Sequence, residues 1–184
     1  MSNLFDYRKV IDSIYPAGLK VSGILLSHSR SVADFALGIA RGHGLDLDPG
    51  EIEAAAMLHD IGIIRTNAPG IGCYGALPYL SHGAVGADML RGMGVPEIYA
   101  RVAERHTGAG LTAAEIAAAG LPLPPGRCYM PETKLERLVC YADCFFSKGG
   151  DGQKKSLGRV EASMARFGEG VLGRFRELHS EFGL

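Results

Sequence analysis

AAAMLHDIGII, residues 54–64, decides how this chain is read. His59 and Asp60 close a short helical run of alanine, methionine and leucine, and Ile61, Ile63 and Ile64 follow at once. Taking an unpartnered imidazole or carboxylate into such surroundings costs several kcal/mol, so both need a partner. A single metal ion serves both, and its remaining ligands should come from elsewhere in the chain.

Outward from that segment, apolar residues recur at three- and four-residue intervals without sustained alternation, so the chain reads as all-α. Helices are expected over Ser22–Gly42, Pro49–Ile61, Ser81–Gly92, Pro96–His106, Thr112–Ala119, Pro131–Ser147 and Leu157–Phe182, the last broken near Gly168 and Gly170. Pro49, Pro96 and Pro131 suit first turns, and glycines placed after helical runs suit their ends. Two long loops, Arg65–Leu80 and Leu121–Met130, are expected as lids or rims of a pocket. Gly149–Ser156 (GGDGQKKS) has only a faint likeness to a phosphate loop, because Gln153 and Lys154 stand where glycine should precede lysine; it reads as a solvated turn.

The chain has 184 residues, 47% of them hydrophobic, which fits one domain with a sizeable core. Its metal-site part should span about 22–148 and its C-terminal helices 157–182. A net charge of −1 supplies no global basic field for long nucleic acid or an anionic membrane surface. With no long apolar run and no signal-peptide pattern in MSNLFDYRKV, a cytoplasmic protein is expected. Cys73, Cys128, Cys140 and Cys144 form no CxxC pair and read as reduced thiols, Cys140 and Cys144 as buried packing.

Helical spacing then tells which polar residues point inward. His28 falls on the stripe of Leu25, Val32, Phe35, Ala36 and Ile39, and His59 follows Ile52, Ala55 and Ala56, with Asp60 bordering the same interior. His82 opens a stripe continued by Val85, Met89 and Met93. His106 closes one made by Tyr99, Val102 and Ala103, and Asp143 lies among Val139, Cys140 and Phe146. One such residue alone would be a hydrogen-bonded core residue. Four histidines and two aspartates from five helices make a ligand set instead. His43 and His179 read as surface or capping residues, and the C-terminal face of Phe167, Val171, Leu172, Phe175 and Leu178 reads as core.

In this order His28, His59-Asp60, His82, His106 and Asp143 resemble the HD superfamily of metal-dependent phosphohydrolases, HDIG at 59–62 being a common form of its signature. The segment AERHTGAGLTAAEIAAAGLPLPPGRCYMPETKLERLVCYAD is similar to an uncharacterised HDIG subfamily of archaea and bacteria in which HxGAGL and YMPxT recur. The resemblance implies a compact helical bundle in which His28, His59, Asp60 and Asp143 hold one ion. By analogy with binuclear members, His82 and His106 hold a second, with Asp60 bridging. The GYP motif that marks cyclic dinucleotide phosphodiesterases of the family is missing, so a cyclic dinucleotide substrate is not expected.

Two divalent ions can activate a shared water and stabilise charge on a phosphoryl oxygen. The expected activity is therefore hydrolysis of a phosphomonoester, phosphodiester or phosphoanhydride bond in a nucleotide-like small molecule, with Asp60 orienting the water. Arg65 and Lys148 are the expected phosphate-binding residues, and Arg105 beside His106 is weighed with them. Iron or manganese is favoured by family likeness, with cobalt, nickel, zinc and magnesium as alternatives. A mixed-valent di-iron oxygenase of the same fold uses the same ligands. It also places a lysine near the metal, which Ile63, Ile64, Thr107 and Gly108 after HDIG and His106 do not supply. A catalytically silent signalling module would usually lack metal ligands. The oligomeric state is left open by the sequence.

Overall fold

The computed structural model describes residues 5–149 and 152–183. Its helices are α1 (Tyr7–Ile14), α2 (Lys20–His43), α3 (Pro49–Leu58), α4 (His82–Gly92), α5 (Glu97–Arg105), α6 (Ala113–Ala119), α7 (Lys134–Asp143), α8 (Leu157–Ala165) and α9 (Glu169–Phe182). The all-α expectation holds. The loop after the HD pair carries a small exception, an antiparallel hairpin of β1 (Asn67–Ala68) and β2 (Cys73–Tyr74) between short 3-10 turns. Gly150 and Asp151, part of the expected solvated turn, lie outside the described residues, as do the first four residues of the N-terminal segment.

Local chemistry sets most boundaries. Asp48 caps α3 by accepting from the Glu51 amide at 2.9 Å, with Pro49 in the first turn. Thr112 with Glu115 and Thr133 with Glu136 form capping boxes on α6 and α7. The second box starts α7 at Lys134, later than the expected Pro131. Gly168, with φ +110, separates α8 from α9 at the expected break.

Helix α1 was not foreseen. Two turns are marginal by themselves, and α1 is held by Tyr7, Val10 and Ile11 in the core and by the Tyr7 hydroxyl, which donates to Glu53 on α3 at 2.6 Å. The long α2 packs against α3 and α7, and α5 packs against α3, α4 and α7, so the core lies where these five meet. Ion pairs fasten the outside of α5. Arg91 reaches Glu97 and Glu104, while Arg101 and Arg105 reach Glu132 and Glu136.

Helix α4 departs from the expected stripe. Its buried face is Gly83, Ala84, Gly86, Ala87 and Leu90, whereas Val85 and Met89 are half-buried and Met93 is exposed. A β-carbon on Gly83 would come within 2.6 Å of the Ala103 carbonyl oxygen, so α4 uses its smallest residues to touch α5 backbone to backbone. Hydrophobicity alone picks the bulky face. On α9, Val171, Leu172, Phe175 and Leu178 are core as expected, but Phe167 is 70% exposed before the helix begins. Among the described residues no helix is long and apolar enough to cross a membrane.

Candidate metal centre

Three of the four inward histidines stand at helix ends, where main-chain carbonyls lack helical partners. His59 follows α3, His106 follows α5, and His82 follows the 3-10 turn Tyr79–Ser81. Each directs Nδ1 at the carbonyl oxygen three residues back: Ala56 at 2.6 Å, Ala103 at 2.8 Å and Tyr79 at 2.7 Å. A carbonyl only accepts, so Nδ1 carries the hydrogen, and in the neutral ring Nε2 is left with its lone pair.

Those lone pairs converge. His82 Nε2 lies 3.0 Å from His106 Nε2, and both are 3.3 Å from Asp60 Oδ1. On the other carboxylate oxygen, His28 Nε2 is 3.2 Å and His59 Nε2 3.0 Å from Asp60 Oδ2. Asp143 Oδ1 completes this half, 2.9 Å from His28 Nε2. The ligand atoms thus fall into two groups, His28–His59–Asp60–Asp143 and Asp60–His82–His106, which share Asp60. The Asp60 side chain is wholly buried, and neither of its oxygens accepts a hydrogen bond of good geometry. A buried carboxylate with one ammonium as its charge partner, ringed by four imidazole nitrogens, is a donor set that a divalent ion satisfies.

Burial holds His82 down to about 3 and hence neutral. Burial also opposes charge on His59, but Asp60 and Asp143 outweigh it and push its pKa up to about 10. Both carboxyls stay well below the ordinary range; burial works against this, and the neighbouring histidines and Lys148 overcome it. The sign of the pH dependence follows from these directions. In metal-free protein the raised His59 contributes stability fully below its unfolded value of 6.5 and loses it as pH climbs towards 10. The two depressed aspartates contribute above 3.8 and lose it on acidification. Melts of chelator-treated protein should therefore fall in Tm from pH 6 to 9. Metal-loaded protein should hold or rise over the same range, because ions compete with protons for imidazole. Parallel curves for the two forms would contradict this.

The structure brings Lys148 to the centre. Its ammonium is 2.7 Å from Asp60 Oδ2 and the side chain only 12% exposed. Although burial opposes its charge, Asp60 and Asp143 keep its pKa raised. Arg65 is not brought there. The 3-10 turn Ile63–Arg65 leaves it exposed on a separate groove of about 760 Å³ with Leu19, Tyr74, Leu77 and Met89. Arg105 is bound to Glu132 at 2.6 Å and Glu136 at 3.2 Å. The Arg65–Leu80 segment does form part of a rim, since Ala68, Ile71 and Tyr79 line a cleft of about 390 Å³ with Asp143 and Lys148. A second cleft, of about 270 Å³, opens on His28 beside Ser27, Ser31 and, again, Lys148. Residues 121–130 instead pack against Ser81 and Leu111.

Two tyrosines were missed. Tyr15 donates to the Ile61 carbonyl at 2.7 Å and accepts from the Ile64 amide at 3.2 Å, pinning both sides of the HDIG turn. Tyr79 supplies the His82 carbonyl partner, a position signalled only by its place three residues before a histidine. His43 bonds the Gly183 carbonyl and His179 the Tyr141 hydroxyl, and neither belongs to the metal-ligand groups. Cys140 and Cys144 are buried free thiols, both donating to the Gly108 carbonyl.

A protein named tRNA (cytidine(56)-2'-O)-methyltransferase from Thermoplasma volcanium is 34% identical over 174 residues, covering 95% of this chain and 46% of that protein. One of the same name from Picrophilus torridus is 32% identical over 120 residues, 65% of this chain and 30% of its own length. An uncharacterised protein of Methanocaldococcus jannaschii is 36% identical over 122 residues, 65% of this chain and 64% of its own. No solved structure matches significantly. The chain thus spans less than two thirds of each of these relatives. The HD domain model matches residues 25–146, the stretch that carries His28, His59, Asp60, His82, His106 and Asp143, and the chain belongs to the HD domain family.

Proposed function

We propose that this chain is a metal-dependent phosphohydrolase acting on a small, nucleotide-like phosphate ester through two divalent ions, iron or manganese, in the cytoplasm. The contact between His82 Nε2 and His106 Nε2 at 3.0 Å carries the reading. With both Nδ1 atoms committed to carbonyls, two lone pairs face each other beside a carboxylate, an arrangement that a cation resolves. His28, His59, Asp60 and Asp143 would hold one ion, and Asp60, His82 and His106 the other. Bound there, the ions supply Lewis-acid charge and a water acidic enough to attack phosphorus near neutral pH.

The chain's own residues do the rest. Ala56, Tyr79 and Ala103 carbonyls keep three imidazoles oriented, Tyr15 fixes the turn carrying Asp60, and Lys148 offers a largely buried ammonium to phosphoryl oxygens. Protein purified anaerobically should contain close to two ions per chain and release phosphate from nucleoside phosphates. Chelation should abolish the release, and Fe²⁺ or Mn²⁺ should restore it. Turnover that survives chelation, or two bound ions with no hydrolysis of any phosphate ester, would sink the proposal.

One observation favours a second reading. The lysine that di-iron oxygenases of this fold carry near their metal, missing after HDIG and His106, is supplied by Lys148 at Asp60. Oxygen consumption in the same sample separates the two chemistries. Methyl transfer, in the names of the Thermoplasma and Picrophilus proteins, is not proposed, because the shared segment is only 46% and 30% of those proteins.

A further inference from the structure

Tyr79 touches the centre at three points. Its carbonyl takes the His82 Nδ1 hydrogen at 2.7 Å, and its ring lies along the His82 imidazole with centroids 4.8 Å apart and planes at 28°. Its ring centroid lies 5.8 Å from the ammonium of Lys148, which meets Asp60 Oδ2 at 2.7 Å. Tyrosine and lysine thus stand together in the wall of the 390 Å³ cleft that also reaches Asp143.

Charge and valence both bear on what this pair would hold. Two divalent ions and one ammonium set against two carboxylates leave about three positive charges in a largely buried site. A phosphomonoester dianion offsets more of this than a phosphodiester monoanion does. A monoester also has three terminal oxygens and a diester two. If each ion engages one oxygen, only the monoester has a third to offer.

We infer that Tyr79 and Lys148 form a clamp for that third oxygen, the hydroxyl and the ammonium both donating to it, so that the site selects terminal phosphomonoesters over phosphodiesters. The inference rests on the two-ion phosphohydrolase reading and narrows its substrate class. Tyr79→Phe keeps the ring and the carbonyl that orients His82 while deleting the hydroxyl, and Lys148→Met keeps most of the side-chain volume.

The test is calorimetric binding of inorganic phosphate and of dimethyl phosphate to Mn²⁺-loaded wild type and both variants at pH 8, with metal content measured alongside. Wild type should prefer phosphate by about tenfold or more, the scale of one charge-assisted hydrogen bond. Each variant should retain its metal, lose roughly tenfold in phosphate affinity and bind dimethyl phosphate as before. On a monoester substrate, KM should rise more than kcat falls. Variants that keep the wild-type preference overturn the clamp alone. A metal-loaded wild type that binds no phosphate overturns both the clamp and the hydrolase reading.

Discussion

Asp60→Asn should empty both halves of the centre at once, leaving metal content near zero and phosphate release lower by about a thousandfold or more. The expectation follows from the carboxylate's position. Oδ2 faces His28 and His59 while Oδ1 faces His82 and His106, and among the described residues no other serves both groups. The amide keeps the shape and can donate to an imidazole lone pair, so the variant should fold. Asp60→Asn and Asp60→Ala both withdraw the carboxylate charge from the largely buried Lys148 ammonium, a loss on the order of 3 kcal/mol, and Asp60→Ala also removes the hydrogen-bonding shape that the amide keeps. His82→Ala, removing a ligand of one group only, should leave about one ion per chain. Metal analysis of the three variants side by side checks the bridge. An Asp60→Asn protein that keeps both ions and full activity would show that Asp60 does not join the two groups.

The second large effect is expected at Gly62→Ala. A β-carbon there would stand 2.2 Å from the His82 carbonyl oxygen and 2.5 Å from the Gly86 amide nitrogen, main-chain atoms that no side-chain rotation can clear. The start of α4 would have to retreat from the HD turn, taking His82 with it. A cost of about 3 kcal/mol is expected, seen as a fall of roughly 6–12 °C in Tm. Ion binding at the His82–His106 half should suffer more than at the His28–Asp143 half. Gly23→Ala, on α2 where an added β-carbon meets nothing within 4 Å, serves as the control. An unchanged Tm for Gly62→Ala would contradict the packing described.

Helical periodicity exposed much of this centre. His28, His59, His106 and Asp143 lie on faces whose neighbours Leu25, Ala55, Val102 and Val139 are buried, and spacing was enough to find them. His82 lies on a stripe of Val85, Met89 and Met93 that the structure leaves half-buried or exposed, because glycine and alanine make the real contact. Backbone-to-backbone approach leaves no hydrophobic signal. Tyr15 and Tyr79 escaped for a different reason. Their work is done by a hydroxyl or a carbonyl at a site assembled from distant segments, as when Tyr15 bonds Ile61 across 46 positions. Arg65 and Lys148 looked equivalent as cations near motif residues. Only the path of the chain, with a 3-10 turn over Ile63–Arg65, a hairpin beyond it and a turn after α7, separates them.

The carbonyl partners of His59, His82 and His106 carry a consequence for how this centre came to be and can be lost. Each ring is also the final hydrogen bond of a helical segment, so these side chains have structural employment even with no ion to hold. A lineage that abandoned the chemistry would still be under pressure to keep them, and their persistence in a sequence would overstate how many descendants remain active. His28 is the exception, its buried Nδ1 making no hydrogen bond, and it has no such second occupation. Among the four histidines, loss of position 28 is the more informative mark of an inactive descendant.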